Sequence, residues 1–482
     1  MKIPGKYLTL LIVLLSTFFF LIYKIIIKDE FSKITESLSR QQKLCVDLTS
    51  RQSPRMSLGE KILTQESGNL KLQSKILLYE GSAAFARCEF AEAKQKFQQS
   101  LTMSKNNPEA LIYLNNVSAM TQDHLKIAVS VPLRSNPNIA WEILRGVAQA
   151  QAQINQQGGV KQKLLLVQIV NDDNNPEIVP QIAQQLAADE NILAVIGHNT
   201  SDASLAGSEI YQKQGLVMIS PTSTSTELSG IGSYILRTTF SVAALANTLA
   251  DYASVNYLSN ITVCFDSNGS ASSSFVREFL SELIRDRGNK TAVKCDFARE
   301  DFDAEQIVEQ AIDQNSDAIL LVPSIKHLSR AIAVARANQQ KLPLLGAHSL
   351  YTFETIAKGQ DAVVGMVLPT PWLPNDNSQD NFLQATIQYW GGKVNWRTAT
   401  AYDATITLIQ GLQQSETRSQ LQSVLAQPDF VVESATGTFS FENGDRFGRV
   451  ELAYIKRSDD NSDRYQFSRL EKARLIDSKI KN

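Results

Sequence analysis

Gly197-His198-Asn199-Thr200-Ser201 and Met218-Ile219-Ser220-Pro221-Thr222-Ser223-Thr224 are the stretches on which the reading of this chain turns. Each closes an apolar, strand-like run, and each leads toward a helical pattern. Both are rich in small hydroxyl side chains. Two such turns, side by side at the carboxyl edge of a parallel sheet, hold a small anion with hydroxyls and free helix-start N–H groups. That chemistry suits capture of a small molecule rather than its conversion.

Outward from these turns the pattern alternates. Leu125–Val131, Leu164–Val170, Leu193–Ile196 and Leu216–Ile219 read as strands. Trp141–Asn155, Pro180–Ala188 and Leu205–Lys213 read as the helices between them. The alternation then repeats through strands at Ile261–Phe265, Thr291–Cys295, Ala318–Val322 and Leu342–Leu345, with helices at 242–257, 272–285, 304–313 and 328–338. Strands and helices alternating at this spacing mean βαβ units, here two successive α/β lobes, each a parallel sheet flanked by helices. Two more helices, 382–390 and 398–413, follow. Gly437–Phe441 and Arg449–Ile455 are expected to pair as a hairpin about Glu442-Asn443-Gly444-Asp445.

The first 123 residues differ in texture. Tyr7 to Tyr23 are 17 uncharged, mostly apolar positions, long enough as a helix to reach across a bilayer core. Bulky Leu21, Ile22 and Tyr23 stand where a signal peptide carries small residues, which favours an uncleaved anchor. Lys2 and Lys6 favour a cytoplasmic start, and Lys24, Lys28 and Lys33 weigh against it. The expectation is a single-pass inner-membrane protein with its bulk in the periplasm or outside the cell. Residues 29–123 read as a small all-α segment. Gly81, Ala84, Phe90, Ala93 and Phe97 alternate small and large, as in two nested antiparallel helices, and Asn107-Pro108 restarts a helix. This resembles one tetratricopeptide repeat plus the first helix of another; an ordinary helical hairpin packed on the next domain is the competing reading.

Composition excludes more than it selects. The 482 residues carry a net charge of -2, which gives no pull toward nucleic acid. His124, His198, His327 and His348 lack zinc spacing. No Gly-x-Ser-x-Gly, phosphate-binding Gly-rich loop or dinucleotide fingerprint is present, so neither an enzyme nor a resident cofactor is expected. Asp172-Asp173 lacks the spacing of a calcium loop and reads as a surface turn with Asx hydrogen bonds. Cys264 and Cys295 fall in strand-like runs and read as buried free thiols, and Cys45 and Cys88 are candidates for a disulfide.

Several segments together carry a resemblance. Ile154-Asn155 before Gly158-Gly159, Asp172-Asp173, Ile196-Gly197-His198 with Ser201, Ile210-Tyr211, Gly215, Met218-Ile219-Ser220-Pro221, Glu227-Leu228, Leu236-Arg237-Thr238-Thr239, Ala401-Tyr402-Asp403-Ala404 and Gly437-Thr438-Phe439-Ser440-Phe441 are spread from Leu125 to Ile455. Over that span the chain resembles the type I periplasmic solute-binding proteins for leucine, isoleucine and valine, the fold shared with receptor ligand-binding domains. The resemblance implies a two-lobed α/β fold closing on a ligand in its cleft. It places a solute-binding domain at 124–470, with lobe one at 125–240 and 370–436, lobe two at 241–369 and 437–470, and a polar tail at 471–482. Crossovers are expected near Phe240, Pro369 and Thr436.

The resemblance assigns the ligand carboxylate to Ser201, Thr222 and Thr224, with Thr200, Asp202 and Ser223 as further candidates. The same residue types favour helix N-capping without any ligand. The family places an acid for the ligand ammonium in a Gly-x-acid turn, which here reads Gly346-Ala347-His348. A His is a poor partner for a cation. Ile139 and Ser270 stand where the family packs aromatics, leaving Trp141, Tyr351 and Trp372 to supply aromatic surface. The implied ligand is an amino acid, amide or small carboxylate, the carboxylate grip persisting while the ammonium grip is lost. The implied partner is an ABC permease. The alternative is a sensing ectodomain or scaffold that relays closure to a separate membrane partner.

Overall fold

The computed structural model describes residues 53–64, 70–287, 290–374, 381–458 and 464–470. The expected span at 7–23, Cys45 and the tail at 471–482 lie outside them. Among the described residues no helix is long and apolar enough to cross a membrane.

A short strand, β1 (Met56–Ser57), precedes three helices, α1 (Leu72–Ala86), α2 (Phe90–Met103) and α3 (Pro108–Met120). The segment read as wholly helical therefore begins with a strand and a loop. α1 and α2 form a close hairpin: a Cβ on Gly81 would lie 2.6 Å from the Phe97 ring, so only glycine lets the helices approach this far. α3 is fused to the domain that follows. Asn116 Nδ2 donates to the Val167 carbonyl at 2.7 Å, and its Oδ1 accepts from the Val167 N–H at 3.0 Å. Buried Glu109 accepts from the Leu63 N–H at 2.7 Å and from the Tyr113 hydroxyl at 2.8 Å, while burial raises its carboxyl pKa.

The first lobe follows as β2 (His124–Val131), α4 (Pro137–Gln156), β3 (Leu164–Asn171), α5 (Val179–Ala188), β4 (Ile192–Ile196), α6 (Ser201–Lys213), β5 (Val217–Ser220) and β6 (Ile235–Arg237). Its sheet runs β1-β3-β2-β4-β5-β6, parallel except for β1, whose Met56 pairs with Val170. β4 is wholly buried and apolar, and so is most of the second half of β2, as a strand covered on both faces must be. Order 3-2-4-5 reverses direction between β2 and β4. The loops after β4 and β5 therefore emerge at the carboxyl edge near a switch point.

The second lobe follows as α7 (Val242–Val255), β7 (Asn260–Phe265), α8 (Ser270–Arg287), β8 (Lys290–Asp296), α9 (Ala304–Asp313), β9 (Ala318–Val322), α10 (Leu328–Asn338), β10 (Leu344–Gly346), α11 (Phe353–Gly359) and β11 (Val367–Thr370). The chain then returns to the first lobe with α12 (Asn381–Trp390), α13 (Trp396–Leu412) and α14 (Arg418–Leu425). Thr398 Oγ1 donates to the Glu142 carbonyl at 2.9 Å and so ties α13 to α4. Three strands, β12 (Val431–Ser434), β13 (Gly437–Glu442) and β14 (Asp445–Phe447), make a small antiparallel sheet. Last come β15 (Glu451–Arg457) and β16 (Tyr465–Arg469), which complete the second sheet in the order β16-β15-β11-β10-β9-β7-β8.

Two expectations are corrected. The hairpin about Asn443-Gly444 joins β13 to β14, with Glu442 opposite Asp445, and not to 449–455. Asn443 and Gly444 sit at φ 51° and 81°, the left-handed pair such a two-residue turn requires. β15 instead pairs with β11 in the second lobe. Cys264 and Cys295 are not free thiols. They face each other on neighbouring strands β7 and β8 and are joined as a disulfide. Cys88 is also disulfide-bonded.

Candidate functional site

A cavity of about 300 Å³ lies between the two lobes, where the loops after β4 and β5 face the starts of α8 and the loops after β9 and β10. Thr200, Ser201, Asp202, Thr222, Thr224, Ser270 and His348 all line it; Ser223 stands behind, donating to Ser201 Oγ at 3.3 Å.

The hydroxyls divide by what they already bond. Thr200 caps α6, accepting from the Ala203 N–H at 3.4 Å, while its own proton meets no acceptor among the described residues. Thr222 spends its proton on the Asn199 carbonyl at 2.8 Å. Ser201 and Thr224 donate to no acceptor among the described residues, so their protons are available to a ligand oxygen. The N–H groups of the first turn of α6 add donors of the same kind. Asp202 accepts from the Ser270 hydroxyl at 2.8 Å, a bond that crosses the cleft.

Buried polar groups fix these loops. Asp172 Oδ2 accepts from Ser130 Oγ at 2.9 Å and bonds His198 Nδ1 at 2.6 Å, and His198 Nε2 meets the Tyr211 hydroxyl at 3.1 Å. The His198 carbonyl accepts from both Ser204 and Ser220 hydroxyls, which joins the two loops. Asp172 is therefore interior and only Asp173 is on the turn's surface side, a correction to the surface-turn reading. Beneath the second loop, Arg237 donates to the Ser225 carbonyl at 2.6 Å and pairs with Asp445. On the opposite wall Asp266 accepts from His327 Nδ1 at 2.7 Å and from the Ser324 hydroxyl.

The aromatic surface is not where it was expected. Trp141, Tyr351 and Trp372 are buried away from this cavity; Phe275 and Trp396 line it. Their rings each lie 6.3 Å from the His348 ring. Arg397, also missed, completes the floor beside Trp396, its guanidinium 4.4 Å from that ring. The only sequence signal for it was a cation at a helix start, where the helix dipole disfavours one.

Burial, and then the charge of Arg397, push the His348 pKa down to about 3. The residue keeps some surface toward the cleft, yet its Nδ1 is sealed off without a partner. A base depressed in the folded state withholds a proton that the unfolded chain binds. His348 thus favours folding in full above pH ~6.5, and that contribution is lost as pH falls toward 3. Discounted for its cleft-facing surface, the loss is on the order of 1–3 kcal/mol. Denaturant titrations between pH 7 and 4 are expected to show a shallower acid decline for His348→Gln than for the unaltered chain.

Among the described residues no group of three or more His, Cys, Asp or Glu is arranged to hold a metal ion. The periplasmic binding protein family model matches residues 124–456. The Leu/Ile/Val-binding protein of Escherichia coli (strain K12) is 25% identical over 319 residues, 64% of this chain and 84% of that protein. The leucine-specific-binding protein of Salmonella typhimurium is 28% identical over 261 residues, 52% and 68% of the two chains. Among solved structures, an ABC transporter substrate-binding protein from Desulfitobacterium hafniense in complex with Leu superposes with a TM-score of 0.62 at 24% identity, covering 72% of this chain and all of that one. A solute-binding protein of an R. palustris ABC transporter, in complex with 4-hydroxybenzoate, superposes with a TM-score of 0.63 at 16% identity over 72% of this chain and 96% of that one. With its two parallel-sheet lobes, the cleft between them and a family match over more than half its length, this chain belongs to the periplasmic binding protein family.

Proposed function

We propose that this chain is the extracytoplasmic solute-binding component of an ABC-type uptake system. Its two lobes close on a small amino-acid-like or carboxylate ligand, and residues 7–23 hold it at the inner membrane. Ser201, Thr224 and the first turn of α6 grip the ligand's carboxylate; Thr222 and Ser223 hold those donors in place. The observation that carries this reading is the inter-lobe cavity lined by three hydroxyls, of Thr200, Ser201 and Thr224, that donate to no acceptor among the described residues. The names of the relatives, which bind leucine, isoleucine and valine, support the ligand class. Two further observations agree with the compartment: a disulfide on β7 and β8, and a family known by its periplasmic members.

A thermal-shift screen against amino acids, amides and short carboxylates tests it, because a ligand at about 100 times its Kd adds roughly 2.7 kcal/mol to apparent stability. Ser201→Ala is expected to weaken the responding ligand about tenfold, the scale of one hydrogen bond to a charged group. A screen in which no member of the panel raises Tm would defeat the proposal.

A further inference from the structure

Arg397 is only 4% exposed and sits at the first turn of α13. No hydrogen bond or ion pair of its guanidinium is found among the described residues, and its Nε is sealed without a partner. Glu142 is the acid whose field reaches it, but Glu142 is bonded to Arg145 at 2.5 Å and to the Thr398 hydroxyl. A cation at a helix N-terminus gains nothing from the dipole. An unpaired buried charge is costly to the fold on its own, and an anion in the cavity removes that cost.

The rest of the lining points the same way. Its charged residues are Asp202, Lys326 and Arg397, a balance of one negative against two positive. Asp202 is already engaged by Ser270, and the turn that would carry an acid ends in neutral His348. A ligand ammonium would find only Asp202, exposed at the rim with one oxygen already given to Ser270, and would meet a buried guanidinium. The lining that Arg397 shares is apolar and aromatic in part, with Trp396, Phe275 and Val322.

We infer that Arg397 neutralises the ligand's negative charge, and that the cleft selects a flat-bodied carboxylate bearing no ammonium group. The hydroxyls of Ser201 and Thr224 hydrogen-bond the ligand's oxygens. This rests on the solute-binding reading above and narrows its ligand class.

Calorimetric titration of the 482-residue chain with two matched pairs tests it. 3-Phenylpropionate and L-phenylalanine differ by the ammonium; benzoate and benzamide differ by the charge. 3-Phenylpropionate and benzoate are each expected to bind about 30-fold tighter than their partners, the scale of a buried charge-assisted pair. Arg397→Gln is expected to lower benzoate affinity by about the same factor and to erase the difference between benzoate and benzamide. Arg397→Lys, which keeps the charge but not the fork, is expected to retain part of it. L-Phenylalanine binding as tightly as 3-phenylpropionate overturns the inference, as does an Arg397→Gln chain that still prefers benzoate to benzamide. In either case amino-acid binding leaves the solute-binding proposal standing; silence from every compound, amino acids included, removes both. Should Arg397→Gln not fold, the two ratios measured on the unaltered chain decide.

Discussion

Arg446→Met is expected to destabilise the protein by about 3–5 kcal/mol, the scale of stranding one partner of a buried ion pair. Arg446 on β14 and Asp403 on α13 are 2.9 Å apart, and their side chains are 3% and 0% exposed. Arg446 also donates to the Thr238 carbonyl at 3.1 Å and lies over the rings of Phe439 and Phe240, at 4.1 and 5.1 Å. The Thr436 hydroxyl donates to Asp403 as well. One guanidinium therefore joins the end of β6, the start of α7, the β12–β13 turn and α13. Burial raises the Asp403 carboxyl, and Arg446 opposes that rise. Without Arg446 the folded-state value climbs further above the unfolded one. The deficit is then present in full above the folded value and shrinks as pH falls and Asp403 takes up a proton. Urea unfolding at pH 7 and pH 5 checks both parts. Adding Asp403→Asn to Arg446→Met is expected to recover part of the loss, since no charge is then left alone.

Asp172→Ala is expected to cost about 3 kcal/mol or more in stability, and to weaken ligand binding as well. It would leave three donors without their acceptor: His198 Nδ1, the Ser130 hydroxyl and the Asn174 N–H. Each orphaned buried group costs roughly 1–3 kcal/mol, less where water can enter. The binding consequence follows from His198, whose carbonyl holds the Ser204 and Ser220 hydroxyls. Asp172→Asn keeps the shape but only one of the two acceptor oxygens, and is expected to restore part of the stability. Paired unfolding and calorimetry separate the two effects, because a variant with unfolding unchanged and affinity lost would place Asp172 in direct ligand contact instead.

The alternating strands and helices were legible because each is a period change in apolar residues, and β4 and β9 are continuous apolar runs. The hydroxyl-bearing loops were legible for the same reason, since they mark where those runs stop. Partnership between strands was not. Asn443-Gly444 specifies a turn, but nothing in it says that 449–455 leaves for the other lobe to pair with β11. Cys264 and Cys295 stand 31 residues apart, and only the order of the second sheet makes them neighbours. Asp172 was misread because Asn171-Asp172-Asp173-Asn174-Asn175-Pro176 is polar throughout, while its second residue still lies inside the strand's covered edge. Arg397 and Trp396 were missed because a contact made by the start of a helix far along the chain leaves no local mark. Phe275, early in α8, was missed because nothing in the helical pattern of 272–285 sets it apart.

The strand Met56–Ser57 and the side chains of Glu109 and Asn116 stitch everything from residue 53 onward to the edge of the first lobe. Whatever holds the chain upstream therefore holds that lobe stationary. On the proposed closure, with the chain held upstream, the second lobe would be the moving jaw and the first its fixed frame. A neighbour docked beside the first lobe would sense shutting as a displacement of α8 and the loops after β9 and β10, not as a pull on its own footing.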